Sequence, residues 1–181
     1  VTGPIPSEVA IAIIKEIAAA IGYAHQKQIP IPGYNGVLHL DIKPSNILIS
    51  NSGKIKVIDY GISQGSKEDR MDQIVGSLMY MAPEQLQLDS TLDHRTDIYA
   101  LGVLLHQMLT GTTPYSSKDS KDEIIRKIQN EPLERLITIY PHVDNRLQKI
   151  IDIATSKNSD KRFKNCEAFI NSLEEIDHAT N

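Results

Sequence analysis

The sequence predicts a mainly α-helical domain of the α+β class, a helical bundle in which small β-hairpins hold polar loops. Three observations predict it. Apolar residues recur at helical spacing in several separate segments. One short stretch, residues 47–58, has the composition of two strands joined by a turn. Gly, Pro, Ser and Asn punctuate the segments between them. At 181 residues, 40% apolar and 23% charged, the chain is long enough to fill one core.

Taken in order, residues 1–6 hold two prolines and a glycine and read as a connector. Ser7 is expected to cap a helix beginning at Glu8 and ending near residues 26–28. Val9, Ile13, Ile17 and Ile21 recur every four residues, and Ile14, Ala18 and Ala20 fill much of the other side. A helix apolar most of the way round is expected to be buried and central. Pro30, Pro32, Gly33, Asn35 and Gly36 mark a loop. Residues 47–49 read as a strand, Asn51-Ser52-Gly53 as a turn, and 54–58 as the partner strand. Residues 62–76 are polar and read as a mobile surface segment. A short helix is expected at 84–88. A strongly apolar one at 97–109 is closed by Gly111, with Pro114 beyond. Ser120-Lys121-Asp122-Glu123 reads as a capping box opening a helix with Ile124, Ile125 and Ile128 on one face. Leu147, Ile150, Ile151 and Ala154 mark another helix. Cys166, Phe169, Ile170, Leu173 and Ile176 mark the last, before a fraying terminus.

Bulk properties exclude several function classes. A net charge of −4 leaves no basic footprint, so no nucleic-acid partner is expected. The single cysteine, Cys166, rules out an internal disulfide, fits a reducing compartment and reads as a small core residue. The most apolar run, 98–109, is too short and interrupted for a membrane span, and no signal peptide is visible. The chain starts at Val1, and part of a longer protein is expected. His25, His94, His106, His142 and His178 show no metal-ligand spacing and read as surface or satisfied core residues.

The chemistry gathers at the hairpin. Residues 39–49 run from a polar loop with Asp41, Lys43 and Asn46 into the first strand, and the second strand ends at Asp59-Tyr60-Gly61. Two carboxylates, an ammonium and an amide can meet at the mouth of one hairpin. That set suits phosphoryl transfer assisted by a divalent metal.

His39-x-Asp41-x-Lys43-Pro44-x-Asn46 resembles the catalytic loop of protein kinases. Asp59-Tyr60-Gly61 resembles their metal-binding motif, and Ala82-Pro83-Glu84 matches the motif that ends their activation segment. Residues 76–84 are similar to the substrate-side loop of Ser/Thr kinases, and 97–103 to their buried central helix. Order and spacing agree, and the style of 41–49 and 80–85 is similar to bacterial kinases of the eukaryotic type. The resemblance implies that the chain is the large C-terminal lobe of a Ser/Thr protein kinase, with the small ATP-covering lobe of the same protein absent from these 181 residues. It implies ATP with Mg²⁺ (Mn²⁺ as the alternative ion) and a protein substrate bearing Ser or Thr. Asp41 would accept the hydrogen bond of the substrate hydroxyl. Lys43 would neutralise charge on the transferring group, and Ser77 would bond to both. Asn46 and Asp59 would hold the metal, and Leu48 would form the apolar floor under adenine. His39 would be structural rather than a base. Glu84 would pair with Arg162. ATP use and the lone thiol imply a cytoplasmic setting, as a soluble protein or as the cytoplasmic domain of a membrane-tethered one.

Leu40 departs from the pattern, standing where the family usually has an arginine that receives an activation-loop phosphate. Activity needing little phosphorylation at Ser63, Ser66 or Ser77 is therefore expected. Tyr60 keeps the aromatic plug and adds a hydroxyl. Residues 29–35 read as an insertion. Without a small lobe, residues 1–181 alone are expected to transfer phosphate negligibly. The alternative is a pseudokinase or kinase-derived binding module, motivated by Leu40, Tyr60 and the missing lobe. A small-molecule kinase shares the Asp…Asn…Asp logic, but Ala82-Pro83-Glu84 and residues 76–80 argue for a peptide platform.

Overall fold

The computed structural model describes residues 3–27, 36–60, 77–116, 118–139, 141 and 143–177. The expected insertion at 29–35, the polar segment 62–76 with Ser63 and Ser66, Gly61, His142, His178 and the C-terminal tail lie outside the described residues.

Six helices and one two-stranded antiparallel sheet appear among the described residues: α1 (Ser7–His25), β1 (Ile47–Ile49), β2 (Ile55–Val57), α2 (His94–Thr110), α3 (Lys121–Asn130), α4 (Leu136–Ile139), α5 (Asn145–Ala154) and α6 (Cys166–Asp177). Short 3-10 turns cover Pro44–Asn46, Leu78–Tyr80, Pro83–Leu86 and Ser159–Lys161. The connector is pinned where Ile5 N–H donates to Met108 O at 2.7 Å.

The helix α2 is the one buried all round. Every residue from Thr96 to Thr110 except Gln107 is buried. It packs on α1, α4, α5 and the Leu78–Tyr80 turn. It starts at His94, ahead of the expected 97, because the Asp93 carboxylate accepts from Arg95 N–H and caps it. Gly111 closes it at φ 73, a left-handed value that glycine adopts without penalty. At Gly102 a Cβ would lie 2.7 Å from Ala154 Cβ, so glycine lets α2 and α5 approach.

Helix α1 packs on α2, α6 and β2, but it is not apolar-buried on every side. Its buried stripe is Ala10, Ile14, Ile17, Ala18, Ile21 and Ala24, with Ile11, while Val9 is 48% exposed and Ala12, Ala19 and Tyr23 face outward. Residues four apart drift by about 40° per step, so the 9–13–17–21 row slides from solvent into the core. Pro6, not Ser7, holds the N-cap: Ala10 N–H donates to Pro6 O at 2.9 Å, which makes Ser7 the first helical residue.

The remaining elements follow the sequence with small shifts. The turn expected at 84–88 is 3-10 and begins at Pro83. The Ser120 box is half made. Its hydroxyl accepts from Glu123 N–H, but the Glu123 carboxylate turns to Arg126. The one-turn α4 has no sequence signal of its own. Its amide at Leu136 donates to the buried Gln148 side chain on α5 at 2.7 Å. Cys166 is buried, as expected, and burial with the nearby Asp97 charge pushes its thiol up to about 12. No described helix is long and apolar enough to cross a membrane.

Candidate active site

The hairpin fixes the polar loop at one end. Ile47 pairs with Val57, and Ile58 N–H donates to Asn46 O at 3.0 Å. On the other side of Ile58, its carbonyl accepts from His39 Nε2 at 3.0 Å. Asp59 therefore follows a residue whose N–H and C=O are both tied to the loop. His39 is fully buried. Its Nδ1 accepts from Asp41 N–H at 3.3 Å, which assigns the neutral Nε2–H tautomer. Its ring stands 4.6 Å from that of Tyr60. Burial, then the charge of Asp97, pushes the Tyr60 hydroxyl above its ordinary pKa.

Side chains converge on Asp41. Its Oδ2 lies 2.7 Å from Lys43 Nζ and accepts from Asn46 Nδ2 at 3.0 Å. Asn46 Nδ2 also donates to Asp41 O at 2.8 Å, which turns the Asn46 carbonyl oxygen away from Asp41. Lys43 Nζ donates to Ser77 Oγ at 2.6 Å. Ser77 thus reaches Asp41 through Lys43. One acidic oxygen, Oδ2, is thus held by two donors. Leu48 is 50% exposed on β1 beside Ile49, so it is not strand core. Asp59 is exposed at φ 57, a left-handed value that aspartate tolerates better than most residues.

The activation-segment motif is anchored as the sequence predicts. Arg162 donates from Nη1 to Glu84 Oε1 at 2.6 Å and from Nη2 to Oε2 at 2.8 Å. Thr96 Oγ1 adds a bond to Glu84 at 2.9 Å, and Arg162 also donates to Ser156 O and Arg95 O. Burial alone would push the Glu84 carboxyl up. The bonds and charge of Arg162 outweigh it and hold the group below its ordinary value.

Two anchoring residues were not assigned from the sequence. Asp97 Oδ1 accepts from Leu40 N–H at 2.7 Å, and its Oδ2 accepts from His39 N–H at 2.8 Å and His25 Nε2 at 2.7 Å. Gln85 Nε2 donates to Leu40 O at 3.0 Å. A lone carboxylate opening an otherwise apolar helix was the available signal for Asp97, since a buried charge needs partners. Gln85 left no such signal. The other described histidines are structural: His94 donates to Lys164 O, and His106 to Glu134 O, leaving the buried His106 Nδ1 without a partner among the described residues. No three His, Cys, Asp or Glu side chains are gathered as a metal site among the described residues.

Comparison with known proteins places these features in context. The sequence pattern described as "Protein kinase domain" matches residues 2–174. The chain is 35% identical over 167 residues to the probable serine/threonine-protein kinase PknB of Lactococcus lactis, covering 91% of this chain and 25% of that protein. It is 29% identical over 177 residues to the serine/threonine-protein kinase PknL of Mycobacterium tuberculosis, covering 96% of this chain and 42% of the relative. The crystal structure of the M. tuberculosis PknI kinase domain superposes with a TM-score of 0.67 at 25% identity, covering 95% of this chain and 56% of that one. The chain thus spans about a quarter of the PknB relative it matches.

Proposed function

The chain belongs to the protein kinase family, and from that premise we propose that it forms the large C-terminal lobe of a Ser/Thr protein kinase, which transfers the γ-phosphate of ATP to protein Ser and Thr hydroxyls. A small ATP-covering lobe completes the nucleotide site, and residues 1–181 alone are inactive. The observation that carries the reading is the clamped Asp41 carboxylate, with Lys43 and Asn46 on one oxygen and Ser77 on Lys43.

In this reading Asp41 Oδ1 accepts the hydrogen bond of the substrate hydroxyl and aims it at phosphorus. The hydroxyl oxygen forms the new P–O bond, the bond to the departing ADP oxygen breaks, and the proton passes to Asp41. A positioned base of this kind contributes roughly 10²–10⁴-fold. Lys43 sits 2.7 Å from Asp41 and offers positive charge to the transferring group. Asn46 and Asp59 supply oxygen donors, which fits Mg²⁺ in preference to a soft metal. Two protein ligands suffice because such an ion keeps phosphate oxygens and water. When bound, the ion neutralises phosphate charge. Exposed Leu48 lies on the same hairpin and offers an apolar face to adenine. Leu40 offers no cation for a phosphate, so activity needs little phosphorylation of the activation segment. ATP use fits a cytoplasmic setting, as a soluble protein or as the cytoplasmic domain of a membrane-tethered one.

The test of the metal assignment uses the intact protein. Asp59→Asn is expected to raise the Mg²⁺ concentration for half-maximal transfer by about tenfold or more, with an unchanged melting temperature. An unchanged Mg²⁺ requirement removes Asp59 from the metal site.

A further inference from the structure

Leu40 is a branched residue at φ 63, in the left-handed region. It immediately precedes Asp41, so the peptide plane between them sets where the Asp41 side chain starts. Such a conformation persists only where the surroundings over-determine it. Both peptide groups of Leu40 are held by side chains from elsewhere in the fold. Its N–H donates to Asp97 Oδ1 from α2 beneath, at 2.7 Å. Its C=O accepts from Gln85 Nε2, at 3.0 Å, from the turn that Ala82 opens and that holds Pro83 and Glu84. The other end of the same amide, Gln85 Oε1, accepts from Ala82 N–H at 2.9 Å. Gln85 also sits next to Glu84, which Arg162 fixes to the helical body.

We propose that Gln85 is a positioning residue for phosphoryl transfer: its carboxamide bridges the substrate-side turn at Ala82 to the strained Leu40 carbonyl and so fixes the peptide plane that aims Asp41. This inference rests on the proposed kinase reaction. The bridge is neutral, with one donor and one acceptor used in opposite directions. Leu40 brings no charge to link the catalytic loop to the activation segment, and the Gln85 amide makes that link without one. Only a side chain with a donor and an acceptor at that length can serve both partners. Glutamate has the length but, when ionised, sets a second acceptor against the Leu40 carbonyl. When protonated it donates there and accepts from Ala82 as glutamine does.

The experiment compares Gln85→Leu, Gln85→Glu and the exposed neighbour variant Gln87→Leu in the intact protein. It reads kcat and KM from pH 5.5 to 8.5 and amide exchange over residues 39–42. Gln85→Leu is expected to lower kcat about tenfold with KM for ATP within about twofold, and to speed exchange at 39–42 by about fivefold to tenfold, the worth of one net hydrogen bond. Exchange in α2 stays native. Gln85→Glu loses more at pH 8, and its kcat relative to the native protein climbs as pH falls toward 5.5. Gln87→Leu behaves as native. Native turnover and native exchange at 39–42 in Gln85→Leu overturn the proposal. So does a loss that is independent of pH in Gln85→Glu and spread through α2 exchange, which marks a merely structural role. A native protein without Asp41-dependent transfer defeats the kinase reading instead, and the exchange comparison still decides whether Gln85 holds the Leu40 peptide.

Discussion

Lys157 is half-buried and has no carboxylate within ion-pair reach among the described residues. Its Nζ lies 3.3 Å from the Tyr99 hydroxyl, and the Arg162 guanidinium sits over the same Tyr99 ring at 5.0 Å. Burial and the Arg162 charge push the Lys157 amine down to about 8, with Glu131 opposing weakly. The sign follows. The folded protein holds fewer protons than the unfolded chain between about pH 8 and the ordinary lysine value near 10.5. Stability contributed by this group therefore rises with pH across that window, and the charged form is a cost below it. Lys157→Met keeps the apolar stem and removes the charge. It is expected to be more stable than the native protein at pH 7, by an advantage that shrinks between pH 8 and 10. Denaturant midpoints at the two ends of that window measure it, and a constant difference would contradict the account.

At the scale of elements, the Glu84–Arg162 pair ties the activation-segment turn to the segment before α6. Arg162 is 5% exposed and spends its donors on Glu84, Ser156 O and Arg95 O. Removing one partner strands a charge in a poorly solvated place. Arg162→Ala is expected to cost about 3–5 kcal/mol, whereas Glu84→Met with Arg162→Met costs less than that single change. Because the Glu84 carboxyl is held below its ordinary value, the pair's contribution is present at neutral pH and fades as pH falls through the folded pKa. Urea titrations of the single and double variants test this, and a double variant as unstable as the sum of its parts contradicts it. This pair, the hairpin and the caps at Gly111 and Ser120 were legible in the sequence, because each rests on short-range chemistry or on a family spacing. Helix α4 was not, since it is four residues long and the side chain that accepts from its first amide, Gln148, comes from a different segment. The exposed face of α1 was missed because Ala12 and Ala19 count as apolar yet cost little in water.

At the scale of the molecule, one buried helix carries the site. Asp97 on α2 gathers the amides of residues 39 and 40 and the ring of His25 on α1, and α2 itself packs against α1, α4 and α5. The Asp41 loop is thus mounted on a helix buried along nearly its whole length, which suits a group whose value lies in its placement. The loop residues Asp41, Lys43, Asn46 and Asp59 could be proposed as site residues from the chain because their types and spacing suit phosphoryl transfer. The supports of residue 40, Gln85 and Asp97, are brought in by the fold from 45 and 57 residues along the chain. The central claim is that Asp41 serves transfer of phosphate to a protein hydroxyl. The direct measurement is transfer from γ-labelled ATP to protein Ser and Thr by the intact protein and by Asp41→Asn, both with native melting temperatures. The account predicts a loss of roughly 10²–10⁴-fold in kcat for Asp41→Asn with KM for ATP little changed. Equal turnover by the two proteins would contradict it.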